Sequence, residues 1–227
     1  MRNRNIDIFI SGAGPAGLLA SLSFASLGYS VFCVDPKKPV TQSNEDGADL
    51  RTTAFLQPAK TFMASLGLWE KLEPFAIPME IMRIIDSEGD NWPPRETTAK
   101  DFLASEISDL PFGWNIPNWL LRRTLLENAM EYSNLELKFG LTTSSIIRRD
   151  DAAFVYLNDG SQIKSKLIIG ADGRDSLVRD KSQITISKRE FSQKALTFIV
   201  THERPHKNAS IEIHRSGGTY NIVTLAD

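Results

Sequence analysis

The run Gly12-Ala13-Gly14-Pro15-Ala16-Gly17 constrains this chain more than any other feature. Residues 6–11 before it are mostly apolar and rich in β-branched side chains, which suits a buried parallel strand. Behind it, Leu18, Leu19, Leu22 and Leu27 recur near helical spacing, and Gly28 stands where a helix stops. Residues 30–34 form a second apolar strand, closed by Asp35-Pro36. In such a turn each glycine has its own task. Gly12 permits the tight bend, Gly14 lets a ligand reach the backbone, and Gly17 lets the helix pack on the strand. Unpaired N–H groups and the helix dipole favour a phosphate at the helix N-terminus. Asp35 follows the glycines at the end of the second strand, where its carboxylate can accept hydrogen bonds from ribose hydroxyls. Strand, glycines, helix, strand and acid in this register define a dinucleotide-binding β-α-β unit. Its ligand-facing residues are Gly12, Ala13, Gly14, Pro15, Ala16, Gly17 and Asp35. An acid rather than a base at position 35 argues against a 2′-phosphate.

The rest of the chain alternates short elements. Residues 37–50 are polar and read as a loop, and residues 58–66 as a helix with Pro58 in its first turn and Gly67 as its stop. Strands are expected at 79–85, 102–107 and 135–139, and an amphipathic helix at 118–132. Pro93-Pro94 opens an irregular stretch. Asn158-Asp159-Gly160 between two alternating runs predicts a hairpin. Its second strand ends at Ile169 in Gly170-Ala171-Asp172-Gly173, which places Asp172 at a strand C-terminus, the ligand-facing edge of a doubly wound sheet. A helical turn over 176–181 and strands at 195–201, 209–214 and 220–225 follow.

Composition narrows the class. The 227 residues carry 26 basic and 28 acidic side chains, so no basic excess points to nucleic acid. Cys33 is the only cysteine, which forbids an internal disulfide and fits a cytoplasmic setting. It lies in an apolar run and reads as a buried small hydrophobe. His202, His206 and His214 are the only histidines. His214 and Glu212 alternate with Ile211 and Ile213 onto a solvent-facing side, so no metal is assigned. No nucleophile triad is evident.

Three segments together resemble a known family: Gly12–Gly17, then Asp49-Leu50-Arg51-Thr52-Thr53-Ala54, then Asp172-Gly173 with Ser176 and Arg179. They are similar to the class A FAD-dependent aromatic monooxygenases, and most of all to the ubiquinone-biosynthesis hydroxylases of the UbiH/UbiF type. The stretches Leu66-Gly67-Leu68-Trp69 and His214–Gly218 are similar too. Phe112-Gly113-Trp114-Asn115-Ile116-Pro117 also resembles a tryptophan motif of flavin halogenases, with Phe112 replacing the first tryptophan.

The resemblance implies an α/β fold, a Rossmann-like FAD/NAD(P)-binding domain interleaved with a β-rich substrate domain. Segments 1–79 and 107–183 would form the FAD domain, and 80–106 with 184–227 the substrate layer. A later Gly-Asp motif of the family has no match in residues 180–227, so the chain is expected to be C-terminally incomplete. The resemblance further implies that Arg51 lies beside the pyrophosphate and flavin and that Asp172 meets the pyrophosphate-ribityl region. Asn118 stands where the family has an Arg or Gln that reaches the cofactor, and it is equally suited to capping a helix. Arg179 is tied to NAD(P)H handling. The implied activity is hydroxylation of a phenolic ring, a ubiquinone precursor, with FAD as cofactor, NAD(P)H as reductant and O₂ as oxygen source. A prenylated substrate would bring peripheral membrane contact and partners in a biosynthetic complex. The alternatives are a non-catalytic nucleotide-binding fragment, a halogenase or a prenyl reductase.

Overall fold

A computed structural model describes residues 3–89, 95–215 and 217–225. In chain order its first half contains β1 (Asn3–Ser11), α1 (Pro15–Ser26), β2 (Val31–Asp35), β3 (Thr52–Leu56), α2 (Gln57–Ser65), α3 (Trp69–Leu72), β4 (Ile77–Met79), β5 (Ile81–Glu88), β6 (Arg95–Leu103) and β7 (Gly113–Pro117). There follow α4 (Asn118–Ala129), β8 (Leu135–Phe139), β9 (Thr143–Arg148), β10 (Ala153–Leu157), β11 (Gln162–Gly170), α5 (Leu177–Lys181), β12 (Ala209–Arg215) and β13 (Gly218–Ile222). This is a mixed α/β fold.

The chain divides into two compact units, residues 1–48 with 119–196, and residues 49–118 with 197–227. Residues 49–79 and 107–118 thus group with the second unit, whereas the sequence expectation grouped them with the FAD domain. Hydrogen bonding explains the grouping, because β3, β4 and β7 form one sheet.

The first unit is built on a six-stranded sheet in the order β8-β2-β1-β11-β10-β9. The four strands β8, β2, β1 and β11 run parallel, and β10 and β9 add antiparallel. One face carries Cys33, whose thiol meets Ser21 of α1. On the sheet's other face Phe9, Phe32 and Val34 join Val155, Leu157 and Ile163 in one buried cluster. Burial pushes the Cys33 thiol up to about 12, the behaviour of an inert core thiol rather than a nucleophile. The expected hairpin joins β10 to β11, with Gly160 at φ +81°. Midway along β1, Asp7 accepts from the Ser30 hydroxyl (2.7 Å) and amide (2.9 Å) and pairs with Lys166 (2.7 Å). That cluster ties β1 and β11 to the segment entering β2.

The second unit holds an antiparallel sheet, β3-β7-β4, and a four-stranded sheet, β13-β12-β5-β6, in which β12 and β5 run parallel. Around β7, the buried Trp114 meets Trp69 edge to face at 5.3 Å between ring centroids. The Lys60 ammonium sits 4.4 Å from the Trp114 ring centre and 5.0 Å from that of Trp69.

Two expected strands are corrected. The strand placed at 102–107 is instead β6, and residues 104–106 form a 3₁₀ turn. β6 is polar and exposed along almost all its length, so it offers no apolar alternation to read; its pairing with β5 defines it. Residues 195–201 form no strand; among the described residues none pairs with them to supply the hydrogen bonds that an extended run needs. Leu196 is 86% and Phe198 70% exposed there. Pro93 and Pro94 lie outside the described residues.

Replacing Lys60 by Ala removes a cation held against two indole rings. The expected loss is about 0.5–2 kcal/mol, seen as a lower melting temperature and a changed near-UV tryptophan signal. An unchanged near-UV spectrum would show that the ammonium does not sit on the rings.

Candidate functional site

The site of the first unit is set by backbone packing. Gly12 lies at φ +106°, and a Cβ there would stand 2.2 Å from the Ala171 carbonyl oxygen. A Cβ on Gly17 would stand 1.8 Å from the Gly12 carbonyl oxygen and 3.2 Å from Ala171 Cβ. These approaches follow from the strands. The Ala171 amide donates to Ser11 O at 2.7 Å and the Gly12 amide to Val34 O at 2.7 Å, so the residues after β1 and β11 must cross almost in contact. The glycine run and the Gly170–Gly173 segment, far apart in sequence, therefore meet at the C-terminal ends of β1 and β11.

Gly14 behaves differently. It is the N-cap of α1 in an extended conformation (φ −67°, ψ 176°), and nothing stands within 4 Å of a Cβ built there. No side chain caps α1, and its first turn holds no acid. The first intrahelical donor is Leu18, 2.9 Å from Gly14 O, and Pro15 at the first helical position has no N–H to leave unpaired. What remains is an open helix N-terminus with the chemistry to take an anion.

Asp35 is bound to this loop. One carboxylate oxygen accepts the Ala13 amide and the other the Lys37 amide, each at 2.8 Å. A carboxylate offers about four acceptor positions, so both oxygens keep capacity toward hydroxyls. Asp172 has a local task as well: Oδ1 accepts from the Ser176 hydroxyl and Oδ2 from the Val178 amide at 3.1 Å. Ser176 caps α5 by accepting the Arg179 amide at 3.1 Å. The Arg179 guanidinium donates to Arg174 O at 2.8 Å and faces Asp180.

In the second unit, Arg51 and Asn118 are joined by residues to which sequence reasoning gave no role. Arg51 donates to Asp49 through Nε and Nη2, both at 2.8 Å. Asn118 Nδ2 donates to Asp49 at 3.1 Å, and its Oδ1 accepts from the Thr53 hydroxyl at 2.6 Å. The Asn118 amide donates to Arg51 O at 2.8 Å. Asn118 is the first residue of α4, and its side chain is spent on Asp49 and Thr53. The bidentate Arg51 contact, opposed by burial and aided by Asn118, pulls the Asp49 carboxyl down to about 2. Asn118 and Asp49 lie 69 positions apart, so no local pattern in the sequence signals their pairing.

A glycine loop and an acid bonded to it at the carboxyl edge of a parallel sheet are the marks of a dinucleotide-binding α/β protein. Residues 5–219 match the FAD binding domain family, and the chain belongs to it, within the flavoprotein monooxygenases. Ubiquinone hydroxylase UbiL of Rhodospirillum rubrum is 27% identical over 221 residues, covering 96% of this chain and 49% of that protein. The 3-demethoxyubiquinol 3-hydroxylase of Escherichia coli is 25% identical over 227 residues, covering 100% of this chain and 56% of its own length. The crystal structure of Pseudomonas aeruginosa PqsL in complex with 2-aminobenzoylacetate shares the fold, with a TM-score of 0.74 at 20% identity over 99% of this chain and 59% of that one. The chain spans about half the length of the curated relatives it matches.

The glycines separate two effects. Gly17→Ala is expected to lower both the melting temperature and ADP affinity, because the methyl meets backbone. Gly14→Ala is expected to leave the melting temperature of the free protein unchanged and to weaken ADP by about 1–3 kcal/mol, roughly five- to 150-fold. Equal melting shifts in the two variants would refute the distinction. Acid titration tests Asp49. Its folded value of about 2 lies below its ordinary 3.8. The stability it adds is therefore full above pH 3.8 and disappears as pH falls through about 2. Asp49→Asn should melt lower than the parent at neutral pH, with the gap closing toward pH 2.

Proposed function

We propose that this chain holds FAD on its glycine loop and that the whole protein hydroxylates a phenolic ring, a ubiquinone precursor, with NAD(P)H as reductant and O₂ as oxygen source. One observation carries the reading: an uncapped helix N-terminus, an unobstructed Gly14 and an Asp35 tied to the same loop by Ala13 lie together at one strand edge. Those features suit a diphosphate followed by a ribose.

In this reading Gly12, Ala13, Gly14, Pro15, Ala16 and Gly17 cradle the pyrophosphate, and Asp35 accepts from the adenosine ribose hydroxyls. Asp172 keeps its place at the carboxyl edge through Ser176 and Val178, and contacts the pyrophosphate-ribityl part. Arg51 donates to the cofactor, and Asn118 acts through Asp49 rather than by direct contact, since its amide is already engaged. When bound, FAD supplies the redox and oxygen chemistry; the protein binds it, orients it and keeps water away. The four-stranded sheet is the proposed substrate layer. Two relatives named for ubiquinone hydroxylation, at 25–27% identity, support the choice of substrate. A prenylated phenol would be met at a membrane surface; among the described residues no helix is long and apolar enough to cross a membrane.

The purified chain is expected to bind FAD and turn yellow. Asp35→Ala should weaken it by about 1.5–3 kcal/mol, the worth of hydrogen bonds to a charged group. A chain that binds neither FAD nor ADP overturns the cofactor reading. Hydroxylated product, formed only with NAD(P)H and a prenylated phenol and followed by mass spectrometry, supports the substrate. FAD binding without phenol-dependent NAD(P)H oxidation sinks the hydroxylase half alone.

A further inference from the structure

Near the starts of β1 and β11, the sheet of the first unit carries a row of side chains that the glycine loop does not use. Lys164 on β11 is paired with Asn5 on β1 and with Phe154 on β10. Residues paired across neighbouring strands share a face, and so do residues two apart on one strand. Asn5, Phe154, Lys164 and Gln162 therefore stand on one face of the sheet. Together with Arg4 they line a cavity of about 400 Å³. A second cavity, of about 320 Å³, shares Asn5 and Lys164 with it. Between Lys164 and Gly170 the strand rises roughly 20 Å at about 3.3 Å per residue, so this cavity is separate from the glycine run.

The groups on this face differ in how firmly they are held. The Arg4 guanidinium is engaged by Glu136 and stands over the Phe32 ring. Asp7 holds Lys166 at 2.7 Å. Lys164 is tied more weakly. Its ammonium is 3.4 Å from Asp151, whose side chain is 77% exposed, and 5.9 Å from the centre of the Phe154 ring. A contact that long lies at the weak limit of a hydrogen bond. The side-chain amides of Asn5 and Gln162 have no hydrogen-bond partner among the described residues. No carboxylate is among the residues that line the larger cavity. The face thus offers one loosely held cation, an aromatic ring beside it, and two amides that both donate and accept.

We propose that this face is a second ligand site of the first unit, and that it takes a small aromatic carboxylate. The carboxylate draws the Lys164 ammonium away from Asp151, the ring lies against Phe154, and Asn5 and Gln162 bond a polar substituent on the ring edge. A charge-assisted hydrogen bond and an aromatic contact then act on one small molecule. Arg4 and Lys166 are already paired, so a single cation is left and a monoanion fits it better than a phosphate. Asp151 is a competitor for Lys164 and not a part of the site.

The test is calorimetric titration of the full chain with benzoate and 4-carbamoylbenzoate, each with and without an excess of ADP. Both carboxylates are expected to bind, the carbamoyl compound more tightly because its amide exchanges hydrogen bonds with Asn5 and Gln162. ADP should leave both affinities unchanged. Benzamide, which keeps the ring and loses the charge, should bind at least about tenfold more weakly than benzoate. Lys164→Met should weaken benzoate by about tenfold or more, the effect of losing a charge-assisted hydrogen bond. Phe154→Leu should weaken it by roughly three- to tenfold. Asp151→Asn should tighten it by about two- to fivefold, since an exposed ion pair no longer competes. That substitution alters only an exposed side chain, so its sign can be read even where Lys164→Met lowers stability. The proposal is overturned if neither carboxylate binds at millimolar concentration, or if Lys164→Met leaves the affinity unchanged. It is overturned also if Asp151→Asn weakens binding, or if ADP displaces the carboxylate.

Discussion

The first unit depends on a contact between two pieces of backbone. β1 and β11 lie side by side in parallel, and each must end in a loop on the same edge of the sheet. Ser11 O receives the Ala171 amide, and this bond brings the Ala171 carbonyl to where a side chain on residue 12 would stand. The start of α1 is then pressed on Gly12 itself, which excludes a side chain at 17. Gly12 and Gly17 are consequences of strand pairing. Of the three glycines, only Gly14 has empty surroundings.

The second unit solves its local problem with side chains. Around Lys60, two buried indole rings carry a half-buried cation, so that packing and charge support each other. Around Asp49 the order is reversed: polar side chains satisfy one another, with Arg51 and Asn118 both donating to the carboxylate. Polar networks of this kind are costly if one member is missing. Asn118 is central because it accepts from one neighbour and donates to another, which neither a carboxylate nor an ammonium can do.

Much of the fold could be read from residues whose meaning is local. The glycine run, the helix after it, the second strand and the hairpin at Asn158–Gly160 each declare themselves within a few positions, and all four stand in the structure. What escaped depends on partners distant in the chain. β6 is recognisable only through β5, and residues 195–201 have strand composition without a neighbour. At the site, the bond from Ala13 to Asp35 is the physical content of a spacing long visible in the sequence. Asp49 was visible too, but its pairing with Asn118 spans a fold and no periodicity announces it.

The pairing of Ile10 with Ile169 also sets an order of events during synthesis. The glycine run is made first, yet the wall against which it is folded arrives only with Ala171. The loop therefore closes only after the residues around Ala171 have been made, and contacts of such sequence separation form slowly. Until those residues are made, the early segment must wait with its strand unpaired on one side.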